Sequence, residues 1–166
     1  WARYPLDYVI GSVHWLDRWS IFSDRLPAGR SVQAVYEEYW LTTQQAALSG
    51  AYDIIGHIDC IKTRGYVPAR PDMRLIERTL QVLAECGTCI ELNTSGWRKS
   101  CAEQYPAVSI LERAHHYGVA VTVGSDAHAP HLVAADIDRA FRLLREIGFT
   151  HVATFSQRQR RLIPLP

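Results

Sequence analysis

The feature that most constrains the fold is an alternation of short apolar runs with longer helical patterns. The apolar runs are rich in β-branched residues and have the length of strands; they cover residues 8–13, 52–55, 88–92, 119–123 and 151–155. Strands that alternate with helices form parallel sheets through right-handed crossovers, and the helices cover the sheet. The sequence therefore predicts an α/β fold, built as a barrel or as a doubly wound sheet.

Four helices are predicted between these strands from their start and stop signals. Ser31 is a suitable N-cap for the first helix, and Pro71 with Asp72 opens the second. A glycine follows each helical segment closely, as is typical of helix ends. The predicted helices cover residues 32–48, 73–85, 106–117 and 133–147. No repeat or linker interrupts the series, so we expect residues 1–166 to form one domain.

The composition limits the classes of partner. The chain has 166 residues with 18 basic and 17 acidic side chains, and its formal net charge is +1. This charge is too small to attract nucleic acid or an anionic membrane, and the apolar runs are far shorter than the roughly 20 residues that cross a bilayer. Four dispersed cysteines indicate a reducing compartment rather than a disulfide framework. We therefore expect a cytoplasmic protein with a small-molecule substrate, without nucleic acid or membrane as a partner.

Polar clusters follow the predicted strands and supply candidate metal ligands. His14 and His57 come after the first two strands, and Asp126 and His128 come after the fourth. The carboxyl ends of parallel strands are where ligands and catalytic groups gather. Imidazole nitrogens and a carboxylate suit zinc, manganese or iron. The four side chains are therefore predicted to converge on one mouth and to bind two or more divalent ions, although each alone could be a helix cap.

A second cluster follows the third strand and contains candidate phosphate ligands. Arg98 and Lys99 come directly after a turn that includes Ser95 and Gly96. A guanidinium fork and turn amides can hold phosphate oxygens, although a basic pair can also be simply solvated. The remaining histidines have no partner motif and are left outside the predicted site; they are His115, His116, His131 and His151.

Two other motifs have weaker functional interpretations. Cys86 and Cys89 have the C-x-x-C spacing of a redox or zinc motif, but they run from a helix end into a strand without a second pair. Trp15, Trp19 and Trp97 lie in predicted loops near the mouth. These tryptophans are either walls of the site or ordinary packing residues.

Four segments of the chain resemble the histidinol-phosphate phosphatases of the PHP (polymerase and histidinol phosphatase) superfamily. The segments are residues 7–14, residues 53–62, residues 91–106 and residues 124–128. Gly-Ser-Asp-Ala-His is typical of the superfamily, and Asn-Thr-Ser-Gly-x-Arg-Lys indicates the histidinol-phosphate branch. The resemblance implies a distorted, TIM-like (β/α)7 barrel with two or three divalent metals at its mouth. It also implies that His14 and His57 share one metal, that Asp126 and His128 bind the others, and that Arg98 grips the phosphate.

The resemblance also shows what this chain lacks. The family's opening strand carries a His-x-His pair, further histidines follow, and a later strand gives a bridging glutamate, none of which has a counterpart here. The chain begins at Trp1 and soon enters an apolar run. We therefore expect it to hold about the later five strands of a PHP domain without the N-terminal strands. The absent ligands would come from an upstream segment or from another chain, such as a second copy.

The activity that the resemblance implies is hydrolysis of L-histidinol phosphate to L-histidinol and phosphate in histidine biosynthesis. Metal ions would activate a water for in-line attack, and Arg98 would offset the charge that develops on phosphate oxygens. One alternative is a PHP-type phosphoesterase that acts on nucleotides or nucleic-acid ends, which predicts a basic track with stacking aromatics. The other is a non-catalytic, truncated remnant whose strand-end residues support packing or a partner.

Overall fold

The computed structural model describes residues 3–166 and contains eight strands and four α-helices within that range. The strands are β1 (Ile10–Gly11), β2 (Trp15–Leu16), β3 (Trp19–Ser20), β4 (Ile54–Ile55), β5 (Cys89–Asn93), β6 (Val121–Gly124), β7 (His151–Ser156) and β8 (Gln159–Pro164). The helices are α1 (Val32–Leu48), α2 (Met73–Cys86), α3 (Val108–His116) and α4 (Ile137–Ile147).

The centre of the fold is a four-stranded parallel sheet in the order β1-β4-β5-β6. Each pair is in parallel register, for example Ile54 beside Cys89 and Ile90 beside Val121. Every residue of β5 is buried, as is usual for a central strand covered on both faces. The predicted α/β class with a parallel sheet is therefore confirmed.

The helices begin and end where local capping chemistry allows. Ser31 Oγ accepts a hydrogen bond from the backbone N–H of Ala34 at 3.1 Å, which satisfies a donor at the start of α1. Asp72 does the same for Leu75 at the start of α2, also at 3.1 Å. Gly87 ends α2 in the left-handed conformation, with φ 69°. The predicted bounds of α1 and α2 are confirmed to within one residue.

The hydrophobic core lies between the sheet and the helices. Fully buried side chains come from both layers, with Leu80 and Leu83 on α2, Ile90 and Leu92 on β5, and Leu111 on α3. The close packing of these side chains against β5 fixes the strand ends that carry the polar clusters. None of the helices within residues 3–166 has the length and apolarity needed to cross a bilayer.

The predicted elements that differ most from the structure are the fourth helix and the fifth strand. α4 begins at Ile137 rather than at residue 133, because Ala134 and Asp136 adopt left-handed backbone conformations, with φ 60° and 62°, that interrupt a helix. The predicted fifth strand, β7, is not hydrogen-bonded into the four-stranded parallel sheet; it pairs antiparallel with β8, a strand that the sequence did not predict. The connecting turn has Gln157 and Arg158 at φ 50° and 61°, and positive φ at both central residues suits the twist of a two-residue hairpin.

Candidate functional site

The carboxyl ends of the parallel strands open into one cavity of about 580 Å³. His14 follows β1, His57 follows β4, and Asp126 follows β6, each within three residues of the strand end. The cavity is lined by all seven side chains that the sequence predicts for the site, namely His14, His57, Ser95, Arg98, Lys99, Asp126 and His128. Residues up to 114 positions apart in sequence, 14 and 128, are therefore brought to one mouth.

His14 and His57 form the base of this cavity. Their Nε2 atoms are 3.2 Å apart, and their rings are nearly parallel at 18° with centroids 5.0 Å apart. Two nitrogen ligands on one tetrahedral zinc, each about 2.0–2.1 Å from it, lie about 3.3 Å apart. The spacing of the two imidazoles therefore fits a shared divalent ion, and the donor set suits zinc, manganese or iron.

The surroundings of both rings favour the neutral imidazole. Burial is the largest influence and lowers the pKa of His14 and of His57 below the ordinary value. The neighbouring His57 lowers the pKa of His14 further, whereas the Asp126 carboxylate opposes the shift in both rings. The neutral form has a free nitrogen lone pair, so these rings are prepared to bind a cation near neutral pH.

Asp126 and His128 lie at the rim of the cavity. Ser95 Oγ donates a hydrogen bond to Asp126 Oδ2 at 3.2 Å. His128 Nδ1 lies 2.8 Å from the backbone oxygen of Asp126, and the His128 side chain is 78% exposed. Over residues 3–166, no three His, Cys, Asp or Glu side chains are grouped closely enough to hold a metal ion. The structure thus brings two imidazoles together at the base and leaves the other two predicted ligands apart from them.

Arg98 is held by several acceptors rather than by solvent. Its Nη1 donates to Asp136 Oδ2 at 2.6 Å and to the Thr94 backbone oxygen at 3.3 Å, and its Nη2 donates to the Ser125 backbone oxygen at 2.9 Å. The guanidinium therefore bridges the loops after β5 and β6 while it also lines the cavity. Lys99 lines the same wall and is exposed.

Two polar residues of β5 support the site and were missed as functional candidates by the sequence analysis. Asn93 Oδ1 accepts from the Ser95 backbone N–H at 2.9 Å, and Asn93 Nδ2 donates to Glu91 Oε2 at 2.9 Å. Glu91 Oε2 also accepts from the backbone N–H of His57 at 2.9 Å. A glutamate in the middle of the apolar run Cys-Ile-Glu-Leu-Asn is the signal that could have identified this support, because a strand buried on both faces rarely contains a charge.

An ion cluster centred on the buried Lys62 lies shortly after His57 in the chain. Lys62 Nζ donates to Asp59 Oδ2 at 3.0 Å, to Glu103 Oε2 at 2.6 Å and to the Gln104 backbone oxygen at 2.8 Å. Burial raises the pKa of Asp59 to about 7, although Lys62 opposes the shift. These contacts join the segment after β4 to the segment before α3 and so fix the loop that carries His57.

The other aromatic and histidine candidates lie outside the cavity. Trp97 stacks under the Arg139 guanidinium at 4.0 Å, which is a packing role, and neither Trp15 nor Trp19 lines the cavity. Phe22 instead forms an aromatic wall, with its ring centroid 5.2 Å from that of His14. The four histidines that were left out of the site are exposed and do not line it; they are His115, His116, His131 and His151.

Comparison with known proteins supports the family resemblance. No family model matches the chain. The chain is 37% identical over 161 residues to a probable histidinol-phosphatase of Deinococcus radiodurans, covering 95% of this chain and 61% of that protein. It is 27% identical over 163 residues to a probable histidinol-phosphatase of Schizosaccharomyces pombe, covering 90% of this chain and 53% of that protein. The predicted resemblance to histidinol-phosphatases is therefore confirmed, and the chain spans between half and two thirds of the length of these relatives.

A solved structure shares the fold. The crystal structure of histidinol phosphate phosphatase from Lactococcus lactis, complexed with zinc, L-histidinol and phosphate, aligns with a TM-score of 0.76 at 21% identity. The alignment covers 96% of this chain and 64% of that one. At this identity the likeness establishes the α/β fold and its topology.

Proposed function

We propose that this chain forms the major part of a metal-dependent phosphomonoesterase that hydrolyses L-histidinol phosphate to L-histidinol and phosphate. The observation that carries the proposal is the convergence of His14, His57, Asp126 and Arg98 on one cavity at the carboxyl ends of the parallel strands. Metal-dependent phosphate-ester hydrolysis requires groups that bind a cation and groups that bind the phosphate anion. The two imidazoles and the carboxylate suit the cation, and the guanidinium suits the phosphate. The similarity to proteins named as histidinol-phosphatases supports the choice of substrate.

The proposed roles divide the cavity into a metal side and a phosphate side. His14 and His57 hold one divalent ion, and Asp126 and His128 bind a second or a third, with zinc, manganese or iron as the metal. When bound, such ions lower the pKa of a coordinated water and neutralise charge on the phosphate. A catalytic site needs more protein ligands than meet within residues 3–166, so the rest are supplied by a further segment or by a second copy of the chain.

The phosphate side is formed by Arg98 with Ser95 and Lys99. Two guanidinium nitrogens of Arg98 already donate to acceptors of the protein, which fixes the plane of the group. The remaining N–H donors of Arg98 would contact phosphate oxygens, where a fixed positive charge offsets the charge that develops during phosphoryl transfer. Ser95 Oγ holds Asp126 at the boundary between the two sides.

We further propose that the four-stranded sheet is part of a distorted, TIM-like (β/α)7 barrel and that residues 1–166 belong to a single PHP domain. The alignment with the Lactococcus lactis structure supports this arrangement. Cytoplasmic localisation is part of the proposal, and it is supported by the four free thiols among the described residues, which are Cys60, Cys86, Cys89 and Cys101.

The decisive experiment uses this chain extended upstream and measures phosphate release from L-histidinol phosphate and from a panel of nucleoside monophosphates, with zinc, manganese or iron(II) added in turn. We expect the histidinol ester to be preferred and the activity to depend on added metal. Preference for nucleotides would favour the phosphoesterase alternative. Failure to bind metal, measured by mass spectrometry, together with no turnover would favour the non-catalytic remnant. His116→Ala, which alters an exposed histidine of α3, is the matched control for histidine substitutions.

A further inference from the structure

Glu91 is a buried charged side chain to which the proposed reaction assigns no role. It lies in the middle of β5, is 8% exposed, and belongs to a strand that is otherwise apolar up to Asn93. Burying a carboxylate is costly unless its oxygens are hydrogen-bonded. A glutamate at this position is therefore expected to make a specific contact that a leucine could not make.

The two neighbouring strands make room for this carboxylate. A Cβ atom added to Gly124, which ends β6, would lie 2.0 Å from Glu91 Oε1, closer than any side chain tolerates. A Cβ atom on Gly56, just after β4, would meet Ser12 Oγ at 2.8 Å and Glu91 Oε2 at 3.5 Å. Glycine at these two positions leaves room for the Glu91 side chain to reach between the strand ends toward the loop after β4.

The contact that Glu91 makes there is with the backbone of His57. The His57 N–H donates to Glu91 Oε2 at 2.9 Å, and the same oxygen accepts from Asn93 Nδ2 at 2.9 Å. His57 has φ 30°, in the left-handed region that a non-glycine residue adopts only when its surroundings impose it. The carboxylate is one of the groups that impose this conformation.

The His57 ring depends on its backbone for orientation. A histidine that binds a metal usually has its second ring nitrogen fixed by a carboxylate or a carbonyl. His57 Nδ1 is instead buried without a hydrogen-bond partner among residues 3–166. The backbone conformation of residue 57 therefore sets the direction in which His57 Nε2 faces His14.

We propose that Glu91 is the positioning residue for His57: its carboxylate, seated between Gly56 and Gly124, holds the His57 backbone so that the imidazole faces His14. This inference rests on the proposed role of His57 as a metal ligand. Glu91 acts through the hydrogen bond to the backbone N–H, and an uncharged acceptor of the same shape replaces it.

The test compares three substitutions in the full chain. Glu91→Gln keeps an acceptor oxygen and removes the charge, whereas Glu91→Leu removes the acceptor and keeps the bulk. Gly124→Ala leaves Glu91 chemically intact but displaces its carboxylate, and Gly124 has an ordinary φ that alanine tolerates. Each variant is assayed for zinc affinity by competition with a chromophoric chelator and for hydrogen exchange of the His57 amide by NMR. His57→Ala and His116→Ala are the positive and negative controls.

We expect Glu91→Gln to retain zinc affinity within about threefold, and Glu91→Leu and Gly124→Ala each to lose about 10- to 100-fold, the range for groups that orient metal ligands. The His57 amide should exchange faster in the latter two variants only. Equal zinc affinity and equal amide protection in Glu91→Leu and the unaltered chain would overturn the proposal, as would an equal loss in Glu91→Gln. If His57→Ala bound zinc as well as the unaltered chain, the metal role of His57 itself would fail. Should Glu91→Leu fail to fold, Gly124→Ala decides between these outcomes.

Discussion

The base and the rim of the cavity are built differently. At the base, His14 and His57 are partly buried, their Nε2 atoms are 3.2 Å apart, and β5 supports them through Glu91. At the rim, the Asp126 side chain is 33% exposed and that of His128 is 78% exposed, and His128 Nδ1 lies 2.8 Å from the backbone oxygen of Asp126. The base thus has a close, partly buried pair of imidazoles, whereas the rim side chains are more exposed and are not grouped with that pair.

This difference indicates how the two halves of the site respond to a ligand. A pair of imidazoles that already face each other loses less conformational entropy on binding an ion than exposed side chains do. An exposed imidazole must give up its rotamer freedom when it binds. We therefore expect the first divalent ion to bind at the base and the rim to complete its arrangement afterwards.

The largest expected effect comes from breaking the base. His57→Ala should lower zinc affinity by more than about 100-fold, because losing a direct ligand costs more than losing a group that only orients one. Phosphatase activity should be lost with the metal. Equilibrium zinc titration with a competing chelator measures the change.

The control for this prediction is His116→Ala, since His116 is exposed on α3 and does not line the cavity. If His57→Ala and His116→Ala bound zinc equally well, the His14–His57 pair would be a hydrogen-bonded pair of rings without a metal role.

The next effect concerns the phosphate side. In the version extended upstream, Arg98→Ala should leave the metal content unchanged and lower kcat/KM for L-histidinol phosphate by about thirty- to a thousandfold, which corresponds to about 2–4 kcal/mol of transition-state stabilisation. Arg98→Lys should recover part of this, because an ammonium keeps the charge and loses the planar fork. Steady-state kinetics with metal analysis checks both variants.

Arg113→Ala is the matched control for Arg98, since Arg113 pairs with Glu77 away from the cavity at 3.1 Å. Near-normal kinetics in Arg98→Ala would mean that Arg98 connects two loops and has no role in binding phosphate. Loss of metal in the same variant would mean that Arg98 supports the metal side instead.

The sequence predicts the parts of this molecule that depend on local pattern. The strand ends and the motifs at them follow from apolar runs that stop at polar residues, and so the convergence of His14, His57 and Asp126 could be predicted from parallel topology alone. The β7–β8 hairpin could not, because Gln157 and Arg158 lack the glycine or asparagine that marks such turns. Arg158 is held by tertiary contacts, with its Nε donating to Asp53 Oδ2 at 2.9 Å.

Partners that are distant in sequence were the other source of error. Asp136 gives no local sign that it accepts from Arg98, 38 residues earlier in the chain, and the charge inside β5 marks Glu91 as unusual without revealing that its partner is the His57 backbone. Both contacts require the register of adjacent strands and the exact course of loops. The residues that line the cavity could therefore be predicted from local pattern, whereas the side chains that contact them from distant positions could not.

A smaller effect tests the rim. His128→Ala should lower the affinity for the first zinc ion by no more than about threefold, because His128 does not contribute to the base pair, while activity falls by about tenfold or more through the loss of a ligand for a further ion. Zinc titration and kinetics on the same preparation separate the two effects. A loss of first-ion affinity as large as that of His57→Ala would remove the distinction between base and rim.

The smallest expected effect is the change in KM caused by Asp136→Asn, and the direction of that change is informative. Asp136 Oδ2 accepts from Arg98 Nη1 at 2.6 Å, but both side chains are partly exposed, at 38% and 26%. A partly exposed ion pair contributes about 0.2–1 kcal/mol, and the backbone oxygens of Thr94 and Ser125 still hold the guanidinium when the pair is removed. The orientation of Arg98 should therefore survive in Asp136→Asn, while a negative charge that repels phosphate disappears.

For Asp136→Asn we expect KM for L-histidinol phosphate to fall by about two- to fivefold with kcat unchanged. Salt at 200 mM should largely screen this improvement in KM. A rise in KM, or a fall in kcat that Asp136→Glu restores, would show instead that the carboxylate is needed to aim Arg98 at the phosphate.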